Sequence, residues 1–379
     1  MNTRVPLGLA VALLCLSLAA HADEEEKPAK EEQTEEEDTG GKLLPLPIII
    51  TEPAIGEGLG IGLIYFHGTP EEEPGKLASA STLNQADRQQ TPPPTATGAF
   101  GFYTNNDTRG YGVGHSRTFK DDTWRLSALL ANTDVNATYY VSDIPFEFSL
   151  TGTVAFARIK QRFGDSKMFW GFASSYLDAN ITFPFEPDLD VIGDPVEIGA
   201  DFNDVGISLS FIYDSRDDTM MPEQGQLAEL AFWRYDEVVG GDYNYDKTNF
   251  KLNSFHKLGK KFVLGWRIEA STASGNIPFY AAPYVKLRGI PALRYQGESA
   301  GVVEFELRYQ FAKRWAVLGF TGEGWTDERN LADETADEID AYGFGIRWEA
   351  LPTKNVWVGL DLARGPEEDA FYIQLVHPW

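Results

Sequence analysis

The chain has 379 residues and carries 57 acidic against 32 basic side chains, a formal net charge of −25 at pH 7. This balance disfavours nucleic acid and anionic lipid surfaces as partners, because both repel negative charge. We interpret most of the acidic side chains as solubilising groups on loops and on the wall of an internal channel.

Residues 1–22 have the features of a secretory signal peptide. Arg4 precedes an apolar run from Leu7 to Ala20, and Ala20-His21-Ala22 forms a small-x-small cleavage site. The single cysteine, Cys15, lies within this run, so neither a disulfide framework nor cysteine ligation of a metal is expected. No other stretch approaches the ~18 consecutive apolar residues that a membrane helix needs.

Residues 23–42 form an acidic tract that is dominated by Asp and Glu and lacks aliphatic or aromatic core formers. Like charges in such a run repel each other, so a disordered tail is predicted. The tract leaves no room for a folded periplasmic receptor domain before the next segment. Residues 43–379 are predicted to form one all-β domain.

The first predicted strand spans residues 58–65 and has glycine at every second position: Gly58, Gly60 and Gly62. Alternating glycine leaves one face with little packing, so this strand is expected to pair loosely. The stretch 69–97 is rich in proline and glutamate and is predicted to be a long external loop.

The remaining chain alternates strand patterns with turn residues. Further strands are predicted near 97–105, 108–119, 122–132, 134–141, 147–163, 166–182, 205–213, 226–238, 243–257, 261–272, 301–311, 314–326, 339–350, 355–363 and 371–379. About sixteen strands, without helices to cover them, indicate an antiparallel transmembrane β-barrel. An even number of strands returns both termini to the periplasm, so the predicted location is the outer membrane of a Gram-negative cell.

The strand that ends at Tyr213 leads into a turn with a recognisable pattern. Asp214, Arg216 and Asp217 are followed by Pro222 and Gly225. From the residues alone we interpret Asp214 and Arg216 as a surface pair that stabilises a turn and contributes ~0.5 kcal/mol.

The clearest strand pattern follows an irregular loop that carries Arg288 and Gly289 within an otherwise apolar run. In Val303–Phe311 one face is apolar, and the other carries the charged residues Glu304, Glu306 and Arg308. A strand with these two faces suits a wall between lipid and water, so the charged residues are predicted to face the lumen.

These features resemble the BamA/TamA superfamily of outer-membrane assembly barrels (bacterial surface antigen type). In that family a loop with an Arg-Gly tip folds into the barrel, and the arginine pairs with an inward acid on the next strand. The resemblance implies that Arg288, with Gly289, is a loop anchor that pairs with Glu306. The family also has an aspartate on the following strand. Gly322 stands at that position here, and the resemblance implies that the neighbouring Glu323 replaces the aspartate. It also implies that Asp214 to Gly225 is the periplasmic turn after the eighth strand. The short acidic tail makes this a member expected to lack POTRA domains.

The resemblance implies a role in inserting or translocating proteins at the outer membrane, through a lateral seam between the first and last strands. The predicted seam residues are Gly58, Gly60, Gly62, Phe371, Ile373, Leu375 and Trp379. Expected partners are outer-membrane lipid, together with unfolded outer-membrane proteins or periplasmic factors. The alternative is a passive pore for small solutes or cations.

Enzyme signatures are scarce in this sequence. We find no nucleophile elbow, no His-Glu-x-x-His pattern and no phosphate loop, so no catalytic residue, metal site or cofactor is predicted. The neighbours His115 and Ser116 point to opposite faces of one strand. We therefore attribute their adjacency to chance rather than to a lipid-modifying activity.

Overall fold

A computed structural model of the chain describes residues 41–50, 56–68, 92–141, 144–185, 196–291, 294–328, 339–352, 355–367, 369–375 and 377–379. The predicted signal peptide lies outside these residues, and so does the predicted acidic tail up to residue 40. Among the described residues, no helix has the length and apolar character needed to cross a membrane.

Sixteen antiparallel strands form one sheet, in which each strand pairs with its neighbours in sequence. The strands are β1 (Lys42–Ile50), β2 (Gly58–Phe66), β3 (Ala96–Thr104), β4 (Arg109–Phe119), β5 (Trp124–Val141), β6 (Ile144–Arg162), β7 (Met168–Phe185), β8 (Val196–Asp214), β9 (Gly225–Tyr235), β10 (Tyr245–Leu258), β11 (Phe262–Gly275), β12 (Gly297–Ala312), β13 (Trp315–Glu328), β14 (Ile339–Leu351), β15 (Val356–Arg364) and β16 (Asp369–Leu375). Among the described connections between strands, Glu237–Val239 and Phe279–Ala281 form 3-10 helices.

The two faces of these strands explain why the sheet forms a transmembrane barrel. Large apolar side chains on the outer face are exposed, as Phe305 (48 %) and Phe344 (63 %) show, whereas the inward Glu304 and Glu306 are buried. Apolar groups on the outside and polar groups on the inside are the arrangement that a bilayer requires of a spanning sheet. The predicted all-β transmembrane barrel is therefore confirmed.

The predicted number of strands is correct, but two of the assignments behind it are wrong. β1 was not predicted as a strand, since it contains two prolines and is apolar on both faces. The strands predicted at 122–132 and 134–141 form the single strand β5, because Thr133 continues its inward face and Asp134 pairs outside with Arg109. The extra strand and the merged pair cancel in the count.

The extra strand changes the side on which the connection between β2 and β3 lies. Successive connections alternate between the two ends of the barrel, so this one lies at the end where β1 begins and β16 finishes. Its described ends include His67, whose backbone N–H donates to Thr95. The prediction of an external loop at 69–97 is therefore inconsistent with periplasmic termini, although residues 69–91 themselves lie outside the described residues.

The described part of the connection between β11 and β12, residues 276–291 and 294–296, enters the barrel, and we call it the lumen loop. Its Val285, Leu287 and Ile290 are buried against inward side chains of β12 and β14. Its aromatic residues Phe279 and Tyr280 pack on a larger apolar cluster that lines β1, β2 and β5–β8. The barrel interior is therefore filled by its own chain over this region.

Candidate functional site

The tip of the lumen loop is fixed by a glycine that lies close to the wall. Gly289 has a φ of +94°, and a Cβ built there would lie 3.0 Å from the backbone carbonyl carbon of Arg364. Its backbone N–H donates to the hydroxyl oxygen of Tyr372 over 3.0 Å. A larger residue at this position would push the tip away from β15 and β16.

Arg288, the residue before this glycine, contacts three buried acids inside the barrel. Its Nε donates to Oε1 of Glu304 at 2.8 Å, and its Nη1 donates to Oδ2 of Asp361 at 3.0 Å. Its Nη2 lies 3.0 Å from Oε2 of Glu306, an ion pair that lacks hydrogen-bond geometry. The guanidinium carbon also lies 3.6 Å from the ring centroid of Phe320, which adds a cation–π contact.

Two more arginines extend this cluster on the wall itself. Arg267 donates through Nε to Glu304 at 2.7 Å, and Arg347 donates through Nη2 to Asp361 at 2.9 Å. The alternation of acid and base compensates charges that would otherwise be costly to bury. Burial lowers the pKa of Arg288, but attraction to Glu304, Glu306 and Asp361 outweighs it and holds the pKa above its ordinary value.

The segment after β16 reaches the same cluster from the other end of the barrel. The described residues 377–379, which we call the tail segment, turn inward, and the backbone N–H of His377 donates to the carbonyl oxygen of Met220 at 2.8 Å. His377 Nε2 lies 3.1 Å from Oε1 of Glu306, and the ring of Trp379 lies 5.8 Å from the Arg288 guanidinium carbon. Glu306 therefore contacts both the lumen loop and the tail segment.

Burial lowers the pKa of His377 from 6.5 to about 4, although the neighbouring Glu306 acts in the opposite direction. The contacts fit a neutral imidazole, since Nε2 faces a carboxylate and Nδ1 accepts from the backbone N–H of Trp379 at 3.4 Å. The unfolded chain would take up a proton near pH 6.5, whereas the folded one does so only near pH 4. This group therefore lowers the stability of the fold as the pH falls through that window.

The structure departs from the expectation for Glu323. This side chain is exposed on the outer face of β13, where its cross-strand partner is Val303 rather than an inward residue. The inward neighbours Gly322 and Gly324 lie against Leu287 and Val285 of the lumen loop. Glu323 therefore cannot anchor Arg288, and Asp361 on β15 supplies that acid.

Both predicted lumen-facing charges on β12 point inward. Glu304 is 1 % exposed and bridges Arg288 and Arg267, so it contacts the loop arginine more directly than the predicted partner Glu306 does. Arg308 donates through Nη2 to the carbonyl oxygen of Pro222 at 2.8 Å. The charged face of β12 therefore contacts the lumen loop through Glu304 and the 215–224 turn through Arg308.

The Asp214–Arg216 pair at the turn after β8 is buried, which corrects its interpretation as a surface pair. Asp214 is 1 % and Arg216 8 % exposed, with Arg216 Nε 2.9 Å from Oδ1 and Arg125 Nη1 3.1 Å from Oδ2 of Asp214. Asp217 accepts three backbone N–H bonds across the turn, from residues 218, 223 and 224. Gly225 has a φ of +100°, and a Cβ there would lie 2.2 Å from the carbonyl oxygen of Ser215.

The seam differs from the prediction in two ways. The glycine-spaced strand is β2, which is laddered to β1 and β3, so Gly58, Gly60 and Gly62 lie one strand inside the edge. Trp379 is not on the wall but inside the barrel, where it stacks near Phe255. Phe371, Ile373 and Leu375 do lie on β16, the strand at one end of the sheet order.

Packing rather than a ladder joins the two ends of the sheet. Within the described residues, no backbone pairing connects β1 to β16. Leu375 pairs with Val358 on the outer face of the wall, yet Leu375 is only 3 % exposed. It belongs to one apolar cluster with inward side chains of β1, including Leu44 and Leu46. The inner face of β1 therefore overlaps the outer face of β16.

Sequence reasoning missed Asp361, Arg347 and Arg267. Asp361 is the charged residue on the inward face of β15, between Gly359 and Ala363, and Arg347 lies on the inward face of β14, between Gly345 and Glu349. A single charge on the water-facing side of a membrane strand was a usable signal. Which of these charges meets the lumen loop depends on barrel closure, which no local pattern gives.

Comparison with known proteins agrees with this architecture. BamA from Haemophilus ducreyi lacking POTRA domains 1–3 superposes with a TM-score of 0.53 at 12 % identity, over 89 % of this chain and 69 % of that one. CdiB from Escherichia coli gives 0.54 at 11 %, over 88 % and 62 %, and CdiB from Acinetobacter baumannii gives 0.52 at 9 %, over 88 % and 58 %. The chain thus spans about three-fifths of the CdiB chains.

A search of curated proteins gave no match. Residues 94–285, about half of the chain, match the Omp85 superfamily domain. With a sixteen-stranded antiparallel wall and an inward loop, this match shows that the chain is a Gram-negative outer-membrane barrel that belongs to the Omp85 superfamily.

Proposed function

We propose that this protein assists the insertion or translocation of other proteins at the outer membrane, through the seam between β1 and β16. The observation that carries the proposal is the seam itself, where β1 overlaps β16 without a backbone ladder. Because no backbone ladder joins β1 to β16 within the described residues, separating these strands breaks no ladder hydrogen bond there. Every other junction in the described sheet is an antiparallel ladder and is costlier to open in lipid.

The lumen loop supports the proposal by bracing the wall beside the seam. Arg288 binds acids on β12 and β15, and Gly289 binds Tyr372 on β16. These contacts fix the strands next to the seam, while among the described strands β1 is laddered only to β2. We therefore assign the movable part to β1 and the fixed part to β16.

The filled interior argues against a passive pore. A loop anchored by three ion pairs and an apolar cluster across the lumen leave little water path between them. An open pore would give large, steady conductance in a planar bilayer that Arg288→Ala leaves unchanged. We expect low conductance that rises when this anchor is removed.

The test is reconstitution in phosphatidylethanolamine–phosphatidylglycerol vesicles, with a urea-unfolded eight-stranded outer-membrane barrel as the probe. Heat-modifiable migration on gels measures the folded fraction of the probe over time. We expect faster folding than in protein-free vesicles. We also expect this gain to disappear when a bismaleimide links Leu44→Cys to Leu375→Cys across the seam. The same double variant without linker is the control, and equal rates with and without linker would reject a role for the seam.

A further inference from the structure

The two strands at the seam differ in what their edges can offer to another strand. β1 carries Pro45 and Pro47, and proline has no backbone N–H. The ladder between β1 and β2 nevertheless runs without a register shift from Lys42 to Ile50. A proline nitrogen that faced β2 would interrupt it, so both nitrogens face the seam.

This orientation leaves the seam edge of β1 poor in donors. In a strand, alternate residues turn their N–H groups to the same side, so the seam side of β1 takes residues 43, 45, 47 and 49. Two of those four positions are prolines, and they are consecutive on that edge. A strand added there would leave two of its carbonyl oxygens without partners within the hydrocarbon region, which membrane proteins avoid.

β16 has no such defect. All seven of its residues, Asp369–Leu375, are other than proline, so each carries a backbone N–H and a carbonyl oxygen. On its outer face, Leu375 and the partly buried Ile373 lie in the same apolar cluster as the inner side chains of β1. Moving β1 aside would therefore expose an edge with a complete set of donors and acceptors.

We propose that an incoming strand adds to β16 and not to β1, and that β1 is a displaceable cover with a proline-blocked edge. This inference rests on the proposed function and names its docking edge. The partner is an extended, proline-free segment of about seven residues with apolar side chains at alternate positions, as a lipid-facing wall requires. Antiparallel addition to β16 makes this segment run in the direction of β1. In a client barrel with the same topology, it is therefore an odd-numbered strand and not the last one.

The experiment uses single-cysteine variants of the processed protein in vesicles and a peptide probe. The chain's one natural cysteine lies at position 15, within the predicted leader, so the background is free of thiols. The probe is VEFELRYQF, copied from β12, with an added cysteine at its amino or carboxyl end. Disulfide yield is measured at Ile373→Cys and Asp369→Cys on β16 and at Leu43→Cys on β1. The control is Leu307→Cys on β12, a strand that is paired with a neighbour on both sides, so its yield gives the background.

We expect the peptide with an amino-terminal cysteine to couple to Ile373→Cys, and the peptide with a carboxyl-terminal cysteine to couple to Asp369→Cys. Each yield should exceed that at Leu43→Cys by about tenfold or more, because each peptide carbonyl oxygen left without a hydrogen-bond donor in lipid lowers the affinity more than about tenfold. The two β16 sites provide independent readings if one variant folds poorly, which heat-modifiable migration reports.

Three outcomes would overturn the assignment. Equal or higher yield at Leu43→Cys with the carboxyl-terminal cysteine would make β1 the docking edge and leave the proposed function standing. If the disulfide yield at both β1 and β16 equals the background, while the unfolded barrel still folds faster in vesicles that contain the protein, strand addition is excluded but the assembly role stands. Disulfides between Ile373→Cys residues of two copies, formed without peptide, would identify a second copy as the occupant.

Discussion

Replacing Arg288 by alanine tests whether the buried ion cluster holds the lumen loop in place. The arginine contacts Glu304, Glu306 and Asp361 within 2.8 to 3.0 Å, and its side chain is 6 % exposed. Removing one partner of a buried ion pair costs about 3 to 5 kcal/mol. In the variant, Glu304 keeps its ion pair with Arg267 and Asp361 keeps its ion pair with Arg347, whereas Glu306 keeps its contact with the neutral His377. We therefore expect a loss near the lower limit, about 3 kcal/mol.

The matched control is Arg294→Ala in the same loop. Arg294 pairs with Glu367 at 2.8 Å, but both side chains are about a quarter exposed, so this change should cost about 1 kcal/mol or less. Urea unfolding in detergent micelles, followed by tryptophan fluorescence and by heat-modifiable migration, measures both variants. If the two variants unfold at the same urea concentration, the buried cluster does not stabilise the barrel as described.

Further variants probe the acids, the histidine and the turn. Asp361→Asn should lower the free energy of unfolding by about 3 kcal/mol, while Glu323→Gln should change it by less than about 0.5 kcal/mol. If urea unfolding shows a larger loss for Glu323→Gln than for Asp361→Asn, the acid that anchors Arg288 lies on β13 and not on β15. His377→Gln should remove about 3 kcal/mol of the stability loss between pH 7 and pH 4, and parallel pH profiles for wild type and variant would exclude its titration. Gly225→Ala should cost more than about 2 kcal/mol and Gly164→Ala about 1 kcal/mol, because both have positive φ but only the former meets backbone atoms; equal thermal shifts would contradict this.

Most of the fold could be predicted from alternation, because a wall between lipid and water imposes a period of two on its strands. β1 escaped detection because its inner side chains, such as Leu46 and Ile48, pack in an apolar cluster instead of facing water. With apolar residues on both faces and two prolines, it lacked the signal that identified β12. The missing strand also put the long connection after β2 at the opposite end of the barrel from the termini, whereas the strand order places it at the same end.

The site could be predicted only where partners are near in sequence. Glu304 and Glu306 follow Arg288 by fewer than twenty residues, and their parity already placed them in the lumen. Asp361 lies 73 residues from Arg288 along the chain, and the tail segment meets Glu306 across 71 residues. Both contacts depend on how the sheet curves back on itself, which strand patterns do not encode.

Glu306 is held from two directions, by a loop that descends from one rim and by a tail segment that rises from the other. The barrel is therefore plugged by two segments of its own chain, which also hold the last strand in place. We therefore expect the barrel to conduct little while these two segments stay in place. Its permeability barrier then depends on a few buried charges rather than on the diameter of the ring.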